Sequence, residues 1–245
     1  MNAPTLSPSS QPLLEVRDVY LQRGRNVVFE GLNLQLHEPR IGLIGDNGMG
    51  KTSLLRLLCG LEVPQRGTVY SLGQALHATG SLRARWVGMM FQNPDDQIIF
   101  PTVLEELALS LQPHGLDKKA AQAQALQFLQ ARGLPHWAER AVTSLSQGQR
   151  QHVCWLALLL AAPRSLLLDE PFASLDLPSQ AQLARDMATV DQQVIVSTHL
   201  LDHVRHFARV IWLEHGRIRA DGPGTEVCAA YEADVCARIA AQPRV

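Results

Sequence analysis

Eight residues of this chain, Gly45-Asp46-Asn47-Gly48-Met49-Gly50-Lys51-Thr52, have the spacing GxxxxGK[ST]. Such a loop wraps phosphates, because glycines let the backbone turn tightly and successive N–H groups form an anion nest. Lys51 would bridge the β- and γ-phosphates, and the Thr52 hydroxyl would bind Mg²⁺. A second group, Asp169-Glu170, ends the apolar run Leu166-Leu167-Leu168. As the carboxyl edge of a strand, that is where ligands of parallel sheets bind. Asp169 would hold Mg²⁺ through water, and Glu170 would polarise a water for attack on the γ-phosphate. A third group, Leu145-Ser146-Gln147-Gly148-Gln149-Arg150, puts a hydroxyl and a glycine at a helix start. Free N–H groups and the helix dipole attract anions there. Two phosphate-grasping surfaces imply a site closed from both sides.

Single residues add to this set. His199 follows an apolar run and could donate to the γ-phosphate, while Gln92 could sense the γ-phosphate or Mg²⁺. His199, His203 and His206 have a spacing that three imidazoles on one helix face would need to hold a transition metal. The strand-end place of His199, ahead of any helix, argues against that reading.

The elements that must position these groups are legible in outline. Leu13–Val19, Val27–Phe29 and Leu32–Leu36 read as short strands around the turn Arg23-Gly24-Arg25-Asn26. Ile41–Ile44 reads as a buried parallel strand feeding the glycine-rich loop, and Lys51–Leu61 as a helix with Leu54, Leu55, Leu57, Leu58 and Leu61 on its apolar side. Thr68–Leu72 and Trp86–Phe91 read as strands. Val103–Leu111 and Lys118–Ala131, linked by Pro113-His114-Gly115, read as helices of a subdomain inserted between core strands. In the helix after the third group, Val153, Leu156, Ala157 and Leu160 have core spacing. The core resumes at Ser165–Leu168 and Val194–Ser197, and His215-Gly216 joins a hairpin of Val210–Glu214 and Arg217–Ala220.

Composition excludes more than it identifies. The chain has 245 residues, 46% hydrophobic and 18% charged, with net charge −1. That suits a globular core, and no basic excess points to a nucleic-acid partner. Cys59, Cys154, Cys228 and Cys236 are scattered, as in a reducing cytoplasm. No run approaches the ~18 apolar residues of a membrane span. Residues 1–12 lack a secretory pattern and read as a disordered tail.

Together these residues resemble the ATP-binding subunits of ABC transporters, from about Leu13 to Val227. Gly45–Thr52 matches Walker A, Gln92 the Q-loop, Leu145–Gln149 the signature, Leu166–Glu170 Walker B, Ser174-Leu175-Asp176 the D-loop and Ser197-Thr198-His199 the H-loop. The resemblance implies an α/β P-loop NTPase core, a mostly parallel sheet with flanking helices. To this it adds an N-terminal antiparallel β subdomain and an inserted helical subdomain. One domain over 13–245 is expected, with core 13–92 and 152–227, helical subdomain about 93–151 and a short helical tail 225–245. ATP and Mg²⁺ are the implied cofactors. Nucleotide contacts would come from Gly45, Asp46, Asn47, Gly48, Met49, Gly50, Lys51, Thr52, Ser53, Arg23, Ser146, Gln147, Gly148, Gln149 and Asp176. Glu170, His199 and Gln92 would be catalytic, and Thr52, Gln92 and Asp169 would face the metal.

Two copies would pair head to tail, as a homodimer or heterodimer, with ATP between the Walker A loop of one and Ser146 and Gly148 of the other. The subunit would work at the cytoplasmic face of the membrane, where a transmembrane partner contacts Gln92 to Val103. Two departures stand out: Gln147 replaces the usual first glycine of the signature, and Arg23 stands where an aromatic side chain usually covers adenine. Tyr20 is a rival for that contact. The string Phe91–Val103 is similar to the Q-loop region of energy-coupling-factor and cobalt-type importers, which serve cobalt, nickel, biotin and other vitamins. Asp95 and Asp96 could accept an arginine from the membrane partner. The tail Thr225–Ala241 is shorter than in many such ATPases, so its contribution to dimer contacts would be reduced. The alternative, an ABC ATPase acting on nucleic acid or ribosomes, would call for fused ATPase domains or long coiled-coil insertions, and this chain has neither.

Overall fold

The computed structural model describes residues 11–241; the expected N-terminal tail lies, but for its last two residues, outside them. Two sheets carry the fold. The first is antiparallel and built from β1 (Leu14–Arg23), β2 (Asn26–Leu36), β4 (Arg66–Ser71) and the two-residue β5 (Gln74–Ala75), in the order β2-β1-β4-β5. The second has six strands in the order β10-β9-β3-β8-β7-β6. Here β3 is Arg40–Ile44, β6 Val87–Met90, β7 Ser165–Asp169, β8 Gln193–Ser197, β9 Arg209–Glu214 and β10 Arg217–Gly222. Its strands pair in parallel except for the β9–β10 hairpin.

The parallel strands are buried on both faces, which is why they read as unbroken apolar runs. Alternate residues go to opposite cores. Leu167, Ile195 and Ile211 join helix α1 (Lys51–Leu58) and the antiparallel sheet on one side. Leu166, Leu168, Val194, Val196 and Trp212 face α5 (Leu177–Thr189) and α6 (Gly224–Ala240) on the other. A third cluster joins α2 (Val103–Leu109) and α3 (Lys118–Ala131) to Val153, Leu156, Ala157 and Leu160 of α4 (Gln147–Ala161), the four positions with core spacing. On its other side α4 sends Cys154, Trp155 and Leu158 into the sheet's core. One helix therefore belongs to both bodies.

Two local readings change. Val27–Phe29 and Leu32–Leu36 form the single strand β2, whose irregular register against β1 absorbs the bend at Glu30-Gly31. Helix α1 stops at Leu58: Gly60 (φ 68°) adopts the left-handed turn, its N–H donates to the Leu57 carbonyl, and Leu61 N–H donates to that of Arg56. Leu61 is thus carried off the apolar face and is 48% exposed. The C-terminal segment is the 17-residue α6, with Val227 and Cys228 buried in the core. Cys59 and Cys154 are buried as well, and Cys236 on α6 is exposed. Burial pushes the thiols of Cys59 and Cys154 up to about 11 and about 12. No helix among the described residues is long and apolar enough to cross a membrane.

Candidate functional site

The site forms where four parallel strands end together. Leu43, Ser197 and Asp169 lie side by side in register, so the segments leaving β3, β8 and β7 emerge at one edge, next to the end of β6. The loop after β3 leads into α1, whose N-cap is Gly50 and has no side-chain hydrogen bond. The first-turn N–H groups of α1 are therefore left for an anion. Gly45 (φ 139°) passes so close to β9 that a Cβ would lie 2.2 Å from the Leu213 carbonyl oxygen. No other residue fits there.

A cleft of about 720 Å³ opens on this edge. Its walls include Asn47, Gly48, Met49, Gly50, Lys51, Thr52 and Ser53, together with Gln92, Asp169, Glu170, His199 and Arg23. The structure thus brings residues from positions 23 to 199 to one place. Lys51 is buried and donates through Nζ to the carbonyls of Gly45 (2.6 Å) and Asp46 (3.1 Å). Burial lowers its pKa, against the opposing pull of Glu170, Asp169 and Asp46. Thr52 Oγ1 donates to Asp169 Oδ2 at 2.8 Å. Burial raises the pKa of Asp169, and the Thr52 bond works against that rise. A hydroxyl and a carboxylate oxygen held this close form a donor set suited to a hard cation.

Glu170 is buried and adopts φ 48°, a left-handed conformation that non-glycine residues rarely hold. Its N–H donates to the Ser197 carbonyl (2.9 Å), and its Oε2 accepts from His199 Nδ1 (2.8 Å) and N–H (3.3 Å). The other two histidines of the 199/203/206 pattern are engaged elsewhere. His203 stacks on Phe172 at 3.7 Å, and His206 meets Phe207 edge-on.

Arg23, not Tyr20, lines the cleft, and the Glu62 carboxylate holds its guanidinium with two hydrogen bonds. Tyr20 lies under Arg66 at 4.6 Å and donates to Gln22.

The signature residues sit apart, lining a second cleft of about 680 Å³ with Ser174, Asp176 and Trp137. Ser146 caps α4: its Oγ accepts from Gln149 N–H (3.2 Å), and Gln149 Oε1 accepts from Ser146 N–H (3.1 Å). This capping box occupies Gln149 but leaves the Ser146 hydroxyl proton free to donate. Gln147 donates to Ser174 Oγ at 3.0 Å, and Asp176 caps α5 through Ser179 N–H. Asp95 meets Arg150 of α4 at 3.1 Å, while Asp96 is exposed.

Several members were missed by sequence reasoning. Asn26, Val27, Val28, His215 and Gly216 complete the wall of the first cleft. His215 N–H donates to Met49 Sδ across 166 positions of chain. Buried Glu106 accepts the N–H groups of Ile99 and Phe100, fixing the segment after Gln92. Only Glu106 left a trace in the sequence, as an acid inside an apolar helix.

Known proteins resemble this chain in sequence and fold. The family described as ABC transporter matches residues 29–173. The chain is 44% identical over 218 residues to the biotin transport ATP-binding protein BioM of Rhodobacter capsulatus, covering 89% of this chain and 93% of that one. BioM of Rhizobium etli is 37% identical, over 85% and 92% of the two chains. Among solved structures, CbiO1 of Clostridium perfringens superposes with a TM-score of 0.76 at 22% identity, over 91% of this chain and 93% of that chain. The family match, with relatives 44% and 37% identical over nearly their whole length, places this chain in the ABC transporter family, as one of its ATP-hydrolysing subunits.

Proposed function

We propose that the chain is the motor of an energy-coupling-factor-type importer and that its cargo is a micronutrient, biotin being the first candidate. The observation that carries the type is the 44% identity with a biotin transport ATP-binding protein over nearly the whole of both chains. The Phe91–Val103 string, similar to the Q-loop region of such importers, supports the same class.

In this reading ATP lies with its phosphates in the Gly45–Ser53 loop. Lys51 leaves its carbonyl partners for the β- and γ-phosphates, and the first-turn N–H groups of α1 complete the cradle. Thr52 and Asp169 would hold Mg²⁺, with Gln92 facing it; the ion supplies charge neutralisation on the phosphate oxygens when bound. Glu170 accepts a proton from water as that water attacks the γ-phosphorus. The bond to the β–γ bridging oxygen breaks, giving ADP and phosphate. His199 Nδ1–H orients the Glu170 carboxylate, and Nε2 donates to the γ-phosphate when the ring carries both protons. Arg23 offers its guanidinium face to adenine.

Ser146 and Gly148 serve the nucleotide of a second ATP-binding subunit, placed head to tail. Support for this comes from the separation of the two clefts within one chain. A transmembrane partner docks near Gln92–Val103 and holds the subunit at the cytoplasmic face of the membrane. The test is uptake of labelled biotin by cells expressing the chain with its membrane components. Uptake should fall to background with Glu170→Gln, while the purified variant still binds ATP. Biotin uptake that persists with Glu170→Gln would refute the motor role, and a complex carrying a different ligand would refute the cargo.

A further inference from the structure

The second residue of the phosphate loop is tied to the far end of the chain. The Asp46 carboxylate accepts from the Tyr231 hydroxyl at 2.6 Å and from Arg238 Nη1 and Nη2 at 2.6 and 3.4 Å. Both partners stand on α6, more than 180 positions away. They are braced in turn. Tyr231 meets Trp212 edge-on at 5.2 Å, and Arg238 donates to Asp234 at 2.8 Å. Asp234 also accepts from Arg219, whose guanidinium lies 4.2 Å over the Trp212 ring. On its other side the Asp46 carbonyl accepts from Lys51. A single residue thus joins the cradle lysine to the C-terminal helix.

Charge gives this link a purpose. Aligned N–H groups attract phosphate, and a carboxylate on the same loop opposes them. Arg238, then Tyr231, hold the Asp46 carboxyl below its usual range, so it is ionised at neutral pH. Tyr231 is pushed up to about 12 and stays a donor.

We infer that Tyr231 and Arg238 are positioning residues for nucleotide binding. From α6 they turn the Asp46 carboxylate aside and mask its charge, so that the loop presents an unopposed anion site to a nucleoside triphosphate. Docking of α6 then sets the affinity of a cradle some forty residues from the chain's start. The inference rests on reading Gly45–Thr52 as the ATP cradle.

The experiment uses the full-length chain, with ATP binding followed by calorimetry and turnover by phosphate release. Arg238→Ala should raise Kd and KM for ATP about threefold to tenfold, with kcat changed by less than about twofold. Tyr231→Phe should act in the same direction, and Arg238→Lys should retain most of the affinity. Two readouts separate charge masking from mere bracing of the fold. Adding Asp46→Asn to Arg238→Ala should recover affinity, although the loop stays untied. The defect of Arg238→Ala should also shrink toward 1 M salt, where the screening length falls to about 3 Å. Wild-type affinity in Arg238→Ala, or no recovery in the double variant, would overturn the inference. Failure of the wild-type chain to bind ATP would instead overturn the cradle reading.

Discussion

At the scale of residues, the site is a set of charges held in check by near neighbours. Glu170 keeps a backbone conformation costing about 1–3 kcal/mol in a non-glycine residue. Bonds from its N–H to Ser197 and from His199 to its carboxylate hold it there. That conformation aims the carboxylate across the strand ends and not along β7. Arg23 is equally constrained, since Glu62 fixes its guanidinium at the cleft wall. Arg23→Ala should therefore raise the Kd for ATP about threefold, the order of one exposed charged contact, whereas Tyr20→Ala should leave it unchanged. Titration with a fluorescent ATP analogue distinguishes the two, and the reverse ranking would return the adenine contact to Tyr20.

At the scale of elements, much of this was legible because strand-end chemistry and apolar runs coincide. Ile41–Ile44, Leu166–Leu168 and Val194–Ser197 announce buried parallel strands, and each is followed at once by the loop, carboxylates or histidine of the site. Helix starts were legible where a cap is covalently local, as at Asp117 and Ser146. Local signals failed where a long-range contact decides. The two halves of β2 look like separate strands until both are seen paired with β1. Leu61 is a different case, since the signal that decides is local: Gly60 ends α1 before it, although Leu61 keeps the helical spacing. Asn26, His215 and Gly216 carry no phosphate-binding signature, since only hairpin packing brings them to the cleft. Nothing near Asp46 in the sequence names Tyr231 or Arg238 as its partners.

At the scale of the whole molecule, the two clefts lie on separate walls, and the signature helix bridges two hydrophobic bodies. If two copies complete each other's sites, Lys51→Ala and Ser146→Arg chains should each lack turnover alone. Mixed, they should regain it, because one site of each hybrid pair then has both intact halves. A mixture as inactive as its parts would place both halves in one chain. The distribution of thiols has a practical consequence here. Cys59, Cys154 and Cys228 are buried, and only Cys236 is exposed, two positions along α6 from both Asp234 and Arg238. A maleimide dye should attach once, at Cys236, with no engineered site, and mass spectrometry will count the label. The native chain thus carries its own optical reporter on the helix that grips the phosphate loop, and release of that grip can be followed in real time as a change in dye emission.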